Sequence, residues 1–109
     1  MTGHAFAADI IDGHYDQETD EVVLTVSYDG GCEAHQFNLD FDRFCLETYP
    51  AQQNAKLIHK DNNDSCKAII VEEKRIKLGK KAPVCRTAYL TIKGDNGSEV
   101  EVLVEELRQ

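Results

Sequence analysis

The residues of this chain whose side chains could do chemistry are its cysteines and the histidines close to two of them. In 109 residues they are Cys32, His35, Cys45, His59, Cys66 and Cys85. Thiolate sulfur and imidazole nitrogen are ligands that zinc prefers, and paired cysteines can instead form disulfides. The choice between these two chemistries decides which cellular compartment suits the protein.

A metal site would use Cys32, His35, His59 and Cys66. The ligand types suit zinc, but residues three apart on a regular strand point to opposite faces. Cys32 and His35 could therefore bind one ion only if Cys32 belongs to the turn at Gly30-Gly31. His35 also shares its strand face with three large apolar residues, a position typical of a buried structural histidine. Metal binding is thus the alternative, not the first interpretation.

Disulfides are favoured because the number of cysteines is even. Cys32 and Cys66 each lie at the end of a predicted strand, beside a tight turn. Cys45 lies in a long connection, and Cys85 opens a later strand. We therefore predict the pairs Cys32–Cys66 and Cys45–Cys85. Two such bonds predict an oxidising compartment, periplasmic or secreted, whereas four reduced thiols would indicate the cytoplasm.

Patterns typical of enzymes are missing from the sequence. It contains no G-x-S-x-G, no H-E-x-x-H and no phosphate-binding glycine loop. His59 and Cys66 could form a nucleophile pair, but no third group is evident to orient them. The spacing of Asp61, Asn63, Ser65 and Glu72 imitates a calcium loop, yet Cys66 occupies the position that needs glycine. Turn residues are the better interpretation of Asp61–Asp64. We predict a non-enzymatic protein without a cofactor.

The charge is strongly negative and unevenly distributed. The net charge is −8, and residues 1–55 hold eleven acidic residues and one basic residue, Arg43. This argues against a nucleic-acid partner and suits a basic protein partner. Five basic residues lie between Lys74 and Lys81, where they are typical of an edge strand. No apolar run reaches the roughly 18 residues of a membrane span.

Alternating apolar and polar residues predict strands along most of the chain. About seven strands, frequent turns and one long connection predict an antiparallel β-sandwich, with a partly open β-barrel as the alternative. Residues 1–109 are expected to form a single β domain, and residues 1–8 a flexible tail. The connection over residues 42–49 is apolar enough to be expected to fold back on the core.

Four hairpins are predicted from turn residues and coincident apolar faces. They turn at Gln17–Asp20, Gly30-Gly31, Asp61–Asp64 and Asp95–Gly97. The second would place Leu24 opposite Phe37, and the third would place His59 opposite Cys66. The fourth would pair Ile92 with Val100, Leu90 with Val102 and Ala88 with Val104.

Three functional hypotheses follow from these features. The first is a small exported, non-enzymatic β-sandwich that binds another macromolecule, with a cationic protein as the partner. The second is a small metal-binding domain that uses the cysteine and histidine ligands named above. The third is an intracellular accessory domain with reduced thiols.

Overall fold

The computed structural model describes residues 8–79 and 85–105, which form seven β-strands. They are β1 (Asp9–Asp16), β2 (Glu21–Gly30), β3 (Gln36–Phe41), β4 (Ala51–Lys60), β5 (Ala68–Lys77), β6 (Ala88–Lys93) and β7 (Glu99–Val104). One sheet has the order β1-β2-β5, and the other has the order β3-β4-β6-β7. The sheets pack face to face, which confirms the β-sandwich. They do not close into one barrel, so the barrel alternative is wrong.

The chain moves between the two sheets at three places. It passes from β2 to β3, returns from β4 to β5, and crosses again before β6. Because β4 and β6 are separated by a strand of the other sheet, they can lie side by side in parallel. All other strand pairs are antiparallel.

Two of the four predicted hairpins are present in the structure. Strands β1 and β2 pair across the turn that ends at Asp20, which has a positive φ of 56°. Strands β6 and β7 pair in the predicted register, with Ile92 opposite Val100 and Leu90 opposite Val102. In both hairpins the turn residues and the alternation of apolar residues identify the same partner strand.

The other two hairpin predictions are wrong. Leu24 pairs with Lys74 on β5 and not with Phe37, and His59 pairs with Phe37 and not with Cys66. The predictions relied on apolar faces that coincide when two strands lie side by side. Strands that face each other across a core bury the same residues, so the pattern does not distinguish the two arrangements.

The core lies between the sheets and is entirely aliphatic at its centre. Every second residue of β2 and β6 points inward, as the alternation predicts. The most completely buried aliphatic core side chains come from β2, β6 and β7: Val22, Leu24, Val26, Leu90, Ile92 and Val104.

The termini and the basic run are only partly described. Ala8 is buried in the core, so the predicted tail does not extend that far. The rest of that tail, residues 1–7, and two of the five basic residues, Lys80 and Lys81, lie outside the described residues. Strand β5, which carries the other three basic residues, lies at the edge of its sheet, as the lysines predict.

Candidate functional site

One end of the sandwich carries a group of buried and partly buried polar side chains, here called the polar cluster. It consists of Tyr28, His35, His59, Asp64, Glu72 and Lys74, beside the Cys32–Cys66 disulfide. The cluster lies where the chain makes two of its crossings between sheets, from β2 to β3 and from β4 to β5. These crossings bring together residues that the predicted hairpins would have kept apart.

Asp64 is placed by a tight turn after β4. Asn62 and Asn63 both adopt positive φ values, of 52° and 59°, which asparagine tolerates better than most residues. The turn is closed by the bond from the Asp64 N–H to the Asp61 carbonyl and by the bond from the Asn63 N–H to the Asp61 side chain. As a result the Asp64 side chain points inward and is completely buried.

The Asp64 carboxylate binds both crossings at once. Its Oδ2 accepts hydrogen bonds from the backbone N–H groups of Gly31, Cys32 and Glu33, at 3.1, 3.3 and 3.2 Å. Its Oδ1 accepts one from the N–H of Cys66 at 3.0 Å. One side chain therefore joins the backbone at both halves of the disulfide, whose Cα atoms are 5.7 Å apart.

His35 and His59 continue this hydrogen-bond chain into the core. His35 Nε2 donates to Asp64 Oδ2 at 2.8 Å, and His35 Nδ1 lies 2.7 Å from His59 Nε2. The carboxylate can only accept, so Nε2 of His35 carries a proton. Gly30 allows this close packing, because a Cβ there would lie 2.8 Å from Asp64 Oδ2 and 2.9 Å from His35 Nε2.

Burial and hydrogen bonding act in opposite directions on the pKa of Asp64. Desolvation alone would raise it, but the hydrogen bonds from His35 and from three backbone N–H groups, those of Cys66, Glu33 and Cys32, hold it well below its usual range. The carboxylate is therefore charged at neutral pH and accepts five hydrogen bonds, four at Oδ2 and one at Oδ1. Its lowered pKa makes it a weak general base at neutral pH.

Aromatic rings and a second carboxylate surround the histidines. Tyr28 stacks on His35 with ring centroids 4.2 Å apart, and Phe37 stacks on His59 at 4.5 Å. The Tyr28 hydroxyl donates to Glu72 at 2.6 Å, and burial, followed by this bond, raises the pKa of Tyr28. Tyr28 therefore remains protonated at neutral pH.

The predicted metal ligands are close together but do not converge on one point. Cys32 and Cys66 are bonded to each other, and both ring nitrogens of His35 contact protein side chains. The ligand-type atoms that do lie within 4.8 Å of one another belong to Cys32, Asp64 and Cys66. His59 is not the neighbour of Cys66 that the hairpin predicted, because the two strands belong to different sheets.

The sequence interpretation missed Asp64 as the centre of the cluster and treated it as one more turn residue. The signal available in the sequence was the short distance of each polar residue from a cysteine. Asp64 lies two residues before Cys66, and His35 lies three residues after Cys32. A disulfide between the two cysteines brings both polar residues to one place.

The opposite end of the sandwich carries the second disulfide, Cys45–Cys85, with Cα atoms 6.6 Å apart. The structure thus has both of the cysteine pairs that the sequence favours. Two bonds of this kind indicate an oxidising environment outside the cytoplasm. Cys45 belongs to residues 42–50, the connection between β3 and β4, here called the apolar loop.

The apolar loop is tied to the sheet along its length. Leu46 and Gln52 exchange two backbone hydrogen bonds, of 2.8 and 3.2 Å. The Asp42 N–H donates to the Asn54 carbonyl at 2.9 Å. The buried Gln53 side chain donates to the Asp42 carbonyl at 2.7 Å and accepts from the Cys85 N–H at 2.9 Å. Disulfide, bridge and side-chain bonds together fix the loop.

Despite this anchoring, the large apolar side chains of the loop point into solvent. Tyr49 is 97% exposed, Phe44 86% and Leu46 64%. The prediction that this segment folds back on the core is therefore wrong: the bonds that anchor the loop leave these side chains outside the core cluster. Phe44 and Leu46 line one side of a surface cavity of 280 Å³, whose other wall includes Gln52 and Thr91.

The apolar loop and its border carry more acidic than basic residues. Asp40, Asp42 and Glu47 are exposed on or beside the loop, where the basic residues include Arg43 and Lys56, the β4 partner of Asp40. Apolar side chains with an acidic border form a surface that suits a partner with apolar and basic groups.

The same end is held together by a buried ion pair. Arg86 donates to both carboxylate oxygens of Asp20, at 2.8 and 3.1 Å, and the Tyr15 hydroxyl donates to the same carboxylate at 2.6 Å. Burial would raise the pKa of Asp20, but the bonds from Arg86 and Tyr15 lower it. Arg86 also donates to the carbonyls of Gly79 and Glu105. The role of this ion pair is structural, since Arg86 joins the turn before β2 to the residues that follow β5 and β7.

No family model, curated protein or solved structure matches the chain. Among the described residues, no helix is long and apolar enough to cross a membrane. Inference about function therefore rests on the fold, the polar cluster and the apolar loop.

Proposed function

We propose that this protein is a small exported, non-enzymatic β-sandwich that binds another protein through its apolar loop. The observation that carries the proposal is the exposure of Phe44 and Tyr49 on a loop that is covalently anchored by Cys45–Cys85. Contiguous exposed apolar side chains mark interaction sites more often than isolated ones do.

The anchoring supports the proposal on energetic grounds. Aromatic side chains and arginine are enriched among the residues that contribute most to binding, and this loop presents Phe44, Tyr49 and Arg43. A loop that is already ordered loses little conformational entropy when it binds.

A basic protein is the partner that the charges favour. The acidic residues beside the loop would attract a basic surface during encounter, and the overall charge of −8 would act in the same direction. A cationic, lysozyme-like enzyme is one partner of this kind. We place the protein in the periplasm or among secreted proteins, because both disulfides can persist there.

The polar cluster supports a role without catalysis. Asp64 accepts hydrogen bonds from four backbone N–H groups and from His35, His35 is held between two side chains, and the neighbouring sulfurs are oxidised. A nucleophile or general base needs a lone pair directed at a substrate. In this cluster the hydrogen bonds serve to hold the chain crossings.

Affinity capture tests the proposal. The immobilised protein is incubated with an extracytoplasmic extract at low salt. A Phe44→Ser/Tyr49→Ser variant is treated in the same way, and an Ile11→Ser variant is the control, because Ile11 is an exposed apolar residue on β1. We expect one basic protein to be retained by the wild type and the control, to elute with salt, and to be retained at least about tenfold less by the loop variant. Equal retention by all three proteins would contradict the proposal.

Metal binding is the second candidate, and the proximity of Cys32, Asp64 and Cys66 favours it. Opening the disulfide would supply two thiolates beside a carboxylate, a set that zinc accepts. The candidate requires reduced thiols, as does the intracellular hypothesis. Elemental analysis of protein purified from its native compartment, with a thiol count under denaturing conditions, tests both: four thiols and about one equivalent of zinc would support metal binding.

A further inference from the structure

Strand β5 leaves one edge of the three-stranded sheet open. It pairs with β2 along its whole length, from Ala68 opposite Gly30 to Lys77 opposite Glu21. Within residues 8–79 and 85–105, no strand pairs with its other side. The backbone groups on that side can therefore bind another strand.

The two halves of this edge differ in composition. The second half carries Lys74, Arg75 and Lys77, and Arg75 forms ion pairs with Asp16 and Glu21. Lysine and arginine at an edge discourage pairing with another chain. The first half has no such protection, because Ile69 is 77% exposed and Val71 is 59% exposed.

The outer face of the first half is complementary to itself. Reading every second residue, it presents Ile69, Val71 and Glu73, and Lys67, one residue before the strand, continues the series; all four are exposed. Suppose that β5 of a second copy pairs antiparallel with this β5, about a two-fold axis that passes through Ile70. Lys67 then lies opposite Glu73 of the second copy. Ile69 then lies opposite Val71 of the second copy, and each pair occurs twice because the arrangement is symmetric.

Neighbouring registers are less favourable. Moving the axis to Val71 would place Lys67 opposite Arg75 and Ile69 opposite Glu73. Moving it to Ile69 would place Lys67 opposite Val71. Of these three registers, only the one with its axis at Ile70 pairs opposite charges with each other and apolar residues with each other. This match indicates both the register and a second copy of the chain as the partner of the edge.

We propose that β5 is a self-association surface, through which two copies join their three-stranded sheets into one six-stranded sheet. The apolar loop lies at the other end of the sandwich, since β5 begins beside Gly30 and the polar cluster. Each copy in the dimer therefore keeps its apolar loop accessible. The inference is independent of the proposed binding function.

A charge exchange tests this register. Sedimentation velocity over a concentration series compares the wild type with Lys67→Glu, Glu73→Lys and the double variant, with Lys56→Glu on β4 as the control. Each single variant creates two like-charge pairs, so we expect the dimer dissociation constant to rise about tenfold. The double variant restores opposite charges, and we expect it to return to the wild-type value.

Two results would overturn the proposal. One is a wild type that remains monomeric up to roughly millimolar concentration, which would leave the edge to a different partner or to none. The other is a dimer that the single variants do not weaken or that the double variant does not restore. Circular dichroism of each variant establishes that it is folded, because Glu73 also contacts Arg75 at 3.6 Å.

Discussion

The two ends of the sandwich each carry one disulfide, but they use it in opposite ways. At the polar cluster, Cys32–Cys66 lies beside a buried carboxylate that binds both chain crossings. At the other end, Cys45–Cys85 anchors a loop whose largest side chains are exposed. The first end is closed by internal hydrogen bonds, whereas the second is anchored and exposes its largest side chains. Under the proposed function, the first disulfide serves the fold and the second serves the presentation of the apolar loop.

The strongest test of the closed end is the replacement of Asp64 by asparagine. Asp64→Asn keeps the shape but removes the charge and places an NH₂ group among donors. We expect a fall in melting temperature on the order of 10 °C. Asp42→Asn, at the exposed end, should change it by no more than about 2 °C. Similar melting temperatures for both variants, measured by calorimetry, would show that the two ends do not differ in this way.

Removing each disulfide sharpens the comparison. Cys45→Ser/Cys85→Ser and Cys32→Ser/Cys66→Ser should each lower the free energy of unfolding by about 2–4 kcal/mol, because each bond closes a long loop. Their local effects should differ. Hydrogen exchange should increase at residues 42–50 in the first variant and at residues 31–35 and 61–66 in the second. An identical exchange pattern in the two variants would contradict separate roles.

The pH dependence of stability should come largely from buried carboxylates. The folded-state pKa of Asp64, and those of Asp20 and Glu72, are lowered, so the unfolded chain binds more protons in acid. Stability should be complete above about pH 5 and fall as the pH decreases below about 4. Urea unfolding at several pH values should give a shallower decrease for Asp64→Asn than for the wild type. Equal slopes would mean that Asp64 does not titrate differently in the two states.

The smallest effect on stability is expected at the exposed end. Phe44→Ser/Tyr49→Ser removes two side chains that are almost fully exposed, so the free energy of unfolding should change by no more than about 0.5 kcal/mol per residue. Urea denaturation provides the measurement. A loss of several kcal/mol would show that these residues pack into the fold and are not kept for a partner.

Much of the fold can be predicted from the sequence, for reasons that differ between elements. The β6–β7 register follows from apolar alternation on both strands, and the β1–β2 turn follows from its polar residues. The crossings from β2 to β3 and from β4 to β5 could not be predicted, because Leu24 and Phe37 are buried equally well by side-by-side pairing and by packing across the core.

The two ends were predictable to different degrees. His35 is buried, as its position among apolar residues indicates, but Asp64 belongs to a run of turn residues that resembles any exposed turn. Its partners come from a segment about thirty residues earlier, and only the fold brings them within reach. In the apolar loop the residue types suggest burial, whereas the structure leaves Phe44, Leu46 and Tyr49 exposed and outside the core.

Photo-crosslinking from each end tests the central claim most directly. A benzophenone amino acid is introduced in place of Tyr49 at the apolar loop, or in place of Glu33, whose side chain is exposed beside the polar cluster. After irradiation in the native compartment, we predict a covalent adduct with one basic protein from position 49 and none from position 33. An adduct from position 33 alone, equal adducts from both positions, or no adduct from position 49 would contradict the assignment of binding to the apolar loop.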